Sequence, residues 1–151
     1  MAKAANVTKW DAGGSGDNII SDGYIKSVEK IWLDSYTITA AIPSNTTIDI
    51  AKIPENAKVT SVKLYFPSLS TGAAATGTTI NIGARIAAGT TANTLFLSAG
   101  EASTGVVSLE MTNPDGFQYV ATGGTNTIYI HTSRIATTTT GGTIKSIVRY
   151  T

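Results

Sequence analysis

The chain of 151 residues contains no cysteine. Disulfides, thiolate metal sites and thiol nucleophiles are therefore excluded. It has a single histidine, His131. A histidine-based dyad needs a partner base or nucleophile at a recognisable spacing, and none can be named. Charge is sparse: Asp, Glu, Lys and Arg make up 14% of the residues, and the net charge is +1. The basic stripe of a nucleic-acid binder is missing. No apolar run is long enough for a membrane-spanning helix. The first residues, MAKAANVTKWDAGGSGDN, lack the apolar stretch of a signal peptide, so none is expected. No segment carries a 3.6-residue hydrophobic period, and no internal repeat is visible.

What remains is enough for one domain, which buries about 70% of its unfolded surface at this length. With so few charges, the surface is dressed mainly by Thr, Ser, Asn and Gly. Such a surface suits a protein packed against copies of itself or against other subunits.

Residues 1–22 stand apart. They hold Gly13, Gly14 and Gly16 among Asp11, Asp17, Asn18 and Asp22, with one large side chain, Trp10. Glycine-rich polar sequence cannot offset its own ordering entropy, so this part reads as an extended N-terminal arm. Its glycines let the backbone lie close to another surface. Lys3, Val7, Lys9, Trp10, Ile19 and Ile20 are the candidate contacts with other subunits, Trp10 being of the type that dominates interfaces.

From residue 23 onward the period is two. Val62, Leu64 and Phe66 form one row, with Ser61, Lys63 and Tyr65 on the other side. Ile80, Ile82, Ala84 and Ile86 repeat the pattern, as do Val107, Leu109 and Met111, and Ile128 and Ile130. Ile48 and Ile50 oppose Thr47 and Asp49. Ile31 and Leu33 share one face while Tyr36, Ile38 and Ala40 share the other parity, which predicts a bulge or bend at residues 34–35. The spacers are turn chemistry: PSN, IPEN, AAGTTAN, NPDG, ATGGTN and TTTTGG. NPDG at residues 113–116 fits a type I turn with proline second. About eight to ten short strands with such spacing give an all-β fold, an antiparallel β-sandwich or jelly roll over residues 23–151.

Other chemistry is not found. DAGGSGDN places glycine where a calcium loop needs oxygen ligands. The clusters GGSG, ATGG and TTGG lack phosphate-loop spacing and do not lead into a helix. Asp34, Asp49, Glu101 and Glu110 have no assignable relation. NVT and NTT fit the N-glycosylation pattern, which carries meaning only after export. Trp10, Tyr24, Trp32, Tyr36, Tyr65, Tyr119, Tyr129 and Tyr150 suit either strand packing or a sugar-stacking face.

The succession DIAKIPENAKVTSVKLYFPSL, TTINIGARI, GGTNTIYIHTS and GGTIKSIVRYT, preceded by GYIKSVEKIWLDSYTIT, resembles virion structural proteins of tailed bacteriophages. Within these it is most similar to jelly-roll head decoration, or cement, proteins. The resemblance implies no catalysis, no cofactor, no metal, no nucleic-acid or membrane partner, and assembly in the bacterial host cytoplasm. It implies a homotrimer on the capsid exterior that bridges major capsid subunits. A tail or fibre component and a carbohydrate-binding β-sandwich stay open beside it.

Overall fold

The computed structural model describes residues 2–3, 29–38, 45–66, 78–86, 89, 91–102, 108–134 and 142–151. Val7, Lys9, Trp10, Ile19, Ile20, Tyr24, Ala40, Val107 and the threonine run at 137–140 lie outside the described residues. The strands are β1 (Ala2–Lys3), β2 (Lys30–Ile38), β3 (Thr47–Ile53), β4 (Val59–Tyr65), β5 (Thr78–Arg85), β6 (Thr91–Ala102), β7 (Ser108–Glu110), β8 (Asn126–Arg134) and β9 (Gly142–Tyr150). Among the described residues one helical turn, α1 (Pro114–Phe117), precedes β8.

These form a sandwich of two sheets, β1-β3-β8-β5-β6 and β2-β9-β4-β7. Strands β2 to β9 obey one rule. β2 pairs with β9, β3 with β8, β4 with β7 and β5 with β6, all antiparallel. The chain is thus one long antiparallel ribbon doubled at the β5–β6 turn and rolled up. The roll closes where β9 also meets β4 and β8 also meets β5. This is the jelly roll. β1 stands outside the rule: Ala2 and Lys3 run parallel to β3, opposite Ile48 and Asp49, and so widen one sheet by a strand.

The core lies between the sheets. Val62, Leu64, Phe66, Ile80, Ile82, Ile128 and Ile130 are all buried, as the period-two rows predict. Trp32, Ile144, Val148, Ile48 and Phe96 complete it. Leu64 is fully enclosed whereas Leu33 is 59% exposed. Leu64→Ala is expected to destabilise the fold by about 2–5 kcal/mol, through lost transfer energy and a cavity. Leu33→Ala is expected to stay within about 0.5 kcal/mol. Urea denaturation of both variants checks this, and equal costs would mean that the strand faces are assigned wrongly.

β2 corrects the bulge expected at residues 34–35. Its pairing with β9 is unbroken from Lys30 to Ile38. Trp32, Asp34 and Ile38 are buried, Tyr36 is half-buried, and Ile31 and Leu33 point outward. The apparent change of parity arises because a carboxylate occupies an inward position. Asp34 accepts from the Ser35 backbone N–H at 2.8 Å, with the Trp32 indole at 3.5 Å. A buried carboxylate supplied with donors is tolerated, so the strand stays regular.

The bulges lie elsewhere. The β3–β8 register shifts between Asp49 and Ala51. Leaving Ile50 as the extra residue brings Ile48, Ile50, Ala51 and Ile53 all into the interior. The turns match their chemistry: Asn45, Asn56, Gly89, Gly123 and Gly124 all have positive φ. NPDG goes one step further than a turn. The Gly116 N–H donates to the Asn113 carbonyl at 3.1 Å, as in a type I turn. The Asn113 side chain then caps the single helical turn α1 by accepting from the Asp115 N–H at 3.2 Å.

Candidate functional site

Two outer faces are available, one on each sheet, and they differ in kind. On the five-stranded sheet, the period of two sends Asp49, Tyr129, Gly83 and Arg85 to the side away from the core. These positions are nevertheless covered: Asp49 and Tyr129 are each 1% exposed. β6 is the cause. Between its pairings Ala84 with Ala92 and Ile82 with Leu97 the register shifts, leaving surplus residues on β6. Its backbone passes close over Gly83, where an added Cβ would stand 2.2 Å from the Ala92 carbonyl oxygen.

Beneath that crossing, Arg85 Nη2 donates to both oxygens of Asp49 at 2.8 Å. The guanidinium lies 5.6 Å from the centre of the Tyr129 ring. The Tyr129 hydroxyl donates to Asn93 at 2.6 Å, which ties β8 to β6. Lys52 donates to Thr127 at 3.1 Å nearby. This is a satisfied structural network. His131 lies on the same face, half-buried, with Asn81 at 3.5 Å. An amide at that distance supplies no base. Among the described residues, no group of three or more His, Asp or Glu is placed to hold a metal ion.

Burial, its largest cause, pushes the Tyr129 hydroxyl above the usual phenol value; Arg85 opposes this and Asp49 adds to it. Burial does the same to Tyr119, against its hydrogen bond to Asn126. A phenol with a raised native pKa keeps a proton that the unfolded chain has lost. Its contribution to stability is complete below about pH 10 and is lost as the pH climbs through the native value. The urea midpoint is expected to fall above pH 10 in step with phenolate absorbance, and less steeply in Tyr129→Phe. A midpoint level to pH 12 would contradict this.

The four-stranded sheet offers the opposite surface. Its outward rows are Ile31 beside Arg149, Leu33 beside Ile147 and Lys63, and Ser35 beside Lys145 and Tyr65. Ile31, Leu33 and Tyr65 are exposed and Ile147 is half-buried. Leu33, Ser35, Tyr65, Lys145 and Ile147 line a shallow depression of about 620 Å³. Charge frames it. Arg149 meets Glu29 at 3.1 Å. Lys63 pairs with Glu110 across to β7 and lies 5.1 Å from the centre of the Tyr65 ring. Glu110 first, then Tyr65, hold the Lys63 ammonium above the usual lysine range. Lys145 is exposed and has no ion pair among the described residues. A contiguous apolar strip within a polar rim is the form taken by contact surfaces.

Of the contacts expected in the arm, only Lys3 falls on described backbone, in β1 against Asp49. Val7, Lys9, Trp10, Ile19 and Ile20 lie outside the described residues. Among the aromatics considered for sugar stacking, Trp32, Tyr129 and Tyr150 are buried and Tyr36 and Tyr119 are partly so. Tyr65 is exposed, while Trp10 and Tyr24 lie outside the described residues. The apolar strip escaped the sequence reading because Ile31 and Leu33 look like core residues. The signal was Asp34 between the two aromatics at 32 and 36.

No protein-family model matches the chain, and no curated protein matches it. Solved structures do. A chain of the cyanophage Pam1 capsid asymmetric unit is 24% identical, with a TM-score of 0.69 over 91% of this chain and 94% of that one. A chain of the Ralstonia phage GP4 capsid is 18% identical, with a TM-score of 0.74 over 88% of each. At these identities the likeness is one of fold.

Proposed function

We propose that this chain is a non-enzymatic virion protein that decorates and stabilises a bacteriophage capsid. In this reading it sits on the capsid exterior as a homotrimer and bridges major capsid subunits, after assembly in the bacterial host cytoplasm. The observation that carries the reading is the shared fold with chains of two phage capsids over about nine tenths of the length. The surface supports it. The four-stranded sheet presents an apolar strip, and the low charge of the chain suits life among neighbouring subunits. The one histidine faces an amide, and the buried Asp49 is spent on Arg85, which leaves no acid–base pair to assign there.

The residues before Tyr24 are the proposed anchor. Lys3, Val7, Lys9, Trp10, Ile19 and Ile20 supply two cations and four apolar side chains. Trp10 carries the largest share, since exposed lysine pairs contribute little.

The test uses expanded phage heads that lack this protein. Full-length protein is expected to bind them in multiples of three. A variant beginning at Asp22 is expected to bind at least about tenfold more weakly, a loss of about 1.4 kcal/mol, while keeping its β-sheet circular dichroism. Equal decoration by both forms would remove the anchor. Protein found on tails and never on heads would make it a tail or fibre component.

A further inference from the structure

The five large apolar side chains that stand exposed among the described residues fall in two places. Ile31, Leu33 and Tyr65 belong to the strip on the four-stranded sheet. Phe117 and Val120 belong to α1 and the residues after it. We infer that the α1 knob of one copy seats on the strip of another, so that copies join head to tail.

Charge selects this pairing. Around the strip, Lys63 and Arg149 are engaged by Glu110 and Glu29, which leaves the Lys145 ammonium in excess. Around the knob the excess has the other sign. Asp115 and Glu55 are exposed carboxylates with no ion pair among the described residues, and one cation, Lys58, stands opposite Val120. A strip laid on a second strip doubles an uncompensated cation, and a knob on a second knob doubles a carboxylate. Knob on strip cancels both while covering apolar surface from each side.

The knob is held in shape before it meets anything. Gly116 turns inward, where an added Cβ would stand 2.8 Å from the Phe96 ring and 3.1 Å from the Met111 sulfur. The turn therefore lies close on the core and sends Asp115 and Phe117 outward. The Gln118 and Tyr119 N–H groups donate to the Asp115 and Gly116 carbonyls at 3.3 and 3.2 Å, and the chain then returns to β4 at the Lys58–Val120 bridge. A preorganised knob has little ordering cost left on binding.

One copy cannot satisfy itself. Lys58 immediately precedes β4 and Tyr65 ends it, so Val120 and the Tyr65 end of the strip are about 23 Å apart along one strand of a packed sandwich. A contact between two different patches is heterologous, and such contacts close into rings when the rotation allows. A ring of three is the proposed homotrimer, and the inference rests on that reading for the number three.

The absence of cysteine makes the test clean. Chains carrying Leu33→Cys and chains carrying Phe117→Cys are produced together and oxidised mildly, without capsid. A disulfide between the two kinds of chain is expected at least about tenfold faster than between Leu33→Cys and Thr91→Cys chains, Thr91 being exposed on β6 in the other sheet. Lys145→Glu in the first chain is expected to slow it severalfold, and Asp115→Lys in the second to restore it. A chain carrying both cysteines is expected to give covalent trimers. Equal rates in test and control would overturn the inference. So would disulfide dimers formed as fast by Leu33→Cys chains alone, since strip would then face strip, or a wild-type chain that sediments as a monomer. Binding to phage heads is measured separately: cross-linked trimers that never bind heads would refute the proposed function alone, and head binding without the Leu33–Phe117 link would refute this interface alone.

Discussion

Gly83→Ala is expected to be among the most damaging single substitutions in the molecule, although it adds one methyl group. The added Cβ would stand 2.2 Å from the Ala92 carbonyl oxygen and 2.8 Å from two backbone atoms of Asn93. All three contacts are backbone, so no rotamer change relieves them. β6 must lift, and the Tyr129 to Asn93 hydrogen bond that fastens the crossing is strained with it. The expected cost is about 3 kcal/mol, at the upper end of what over-packing produces. Urea denaturation reads it, and Gly100→Ala is the informative comparison. There the three atoms nearest to the added Cβ are side-chain atoms of Leu97 and Leu109, so the backbone need not move and a smaller cost is expected. A Gly83→Ala midpoint equal to wild type would show that β6 does not run where the structure places it.

Asp49→Ala is expected to cost about 3–5 kcal/mol, the range for breaking one side of a buried ion pair. The loss is less that of an attraction than of a solvent substitute. Arg85 has given up much of its water under the β6 crossing, and the two Asp49 oxygens stand in for it. Replacing both partners removes the stranded charge. Asp49→Ala with Arg85→Met is therefore expected to recover a large part of the stability. A double-mutant cycle by chemical denaturation measures this. Additive losses would mean that the two groups act separately, and that the network is ordinary surface charge.

Much of the interior was legible because period two and burial coincide in it. Val62, Leu64 and Phe66 alternate with polar residues on a strand with one wet face, so pattern and packing give the same answer. β2 broke this agreement twice, with Asp34 facing in and Ile31 and Leu33 facing out. Hydrophobicity alone then invents a bulge where the hydrogen-bond ladder is regular. The Asp49–Arg85 pair was illegible for another reason. Its members are 36 residues apart and meet through β8, which is paired to both of their strands. Only the register places them together. The β6 crossing leaves no side-chain signal at all beyond one glycine, because the contact is made by main chain. NPDG was legible as a turn and not as a capped helical turn, since the same Asn and Pro open both. The apolar strip is a contact surface only once its strand faces are known, and the arm contributes composition alone.

β9 occupies an interior position in its sheet, hydrogen-bonded to β2 on one side and β4 on the other. Among the described strands it is also the last in chain order. While it is still being made, β2 and β4 have no partner between them and their inward apolar rows have nothing to close against. The doubled ribbon makes this general: every pairing except the β5–β6 turn waits for sequence made much later, and such non-local pairing is slow. The jelly roll therefore forms after translation of its whole length and not progressively during it. A nascent or prematurely terminated chain exposes open strand edges, which invite aggregation. A stop codon before residue 142, which removes β9 whole, is therefore expected to shift the product to the insoluble fraction.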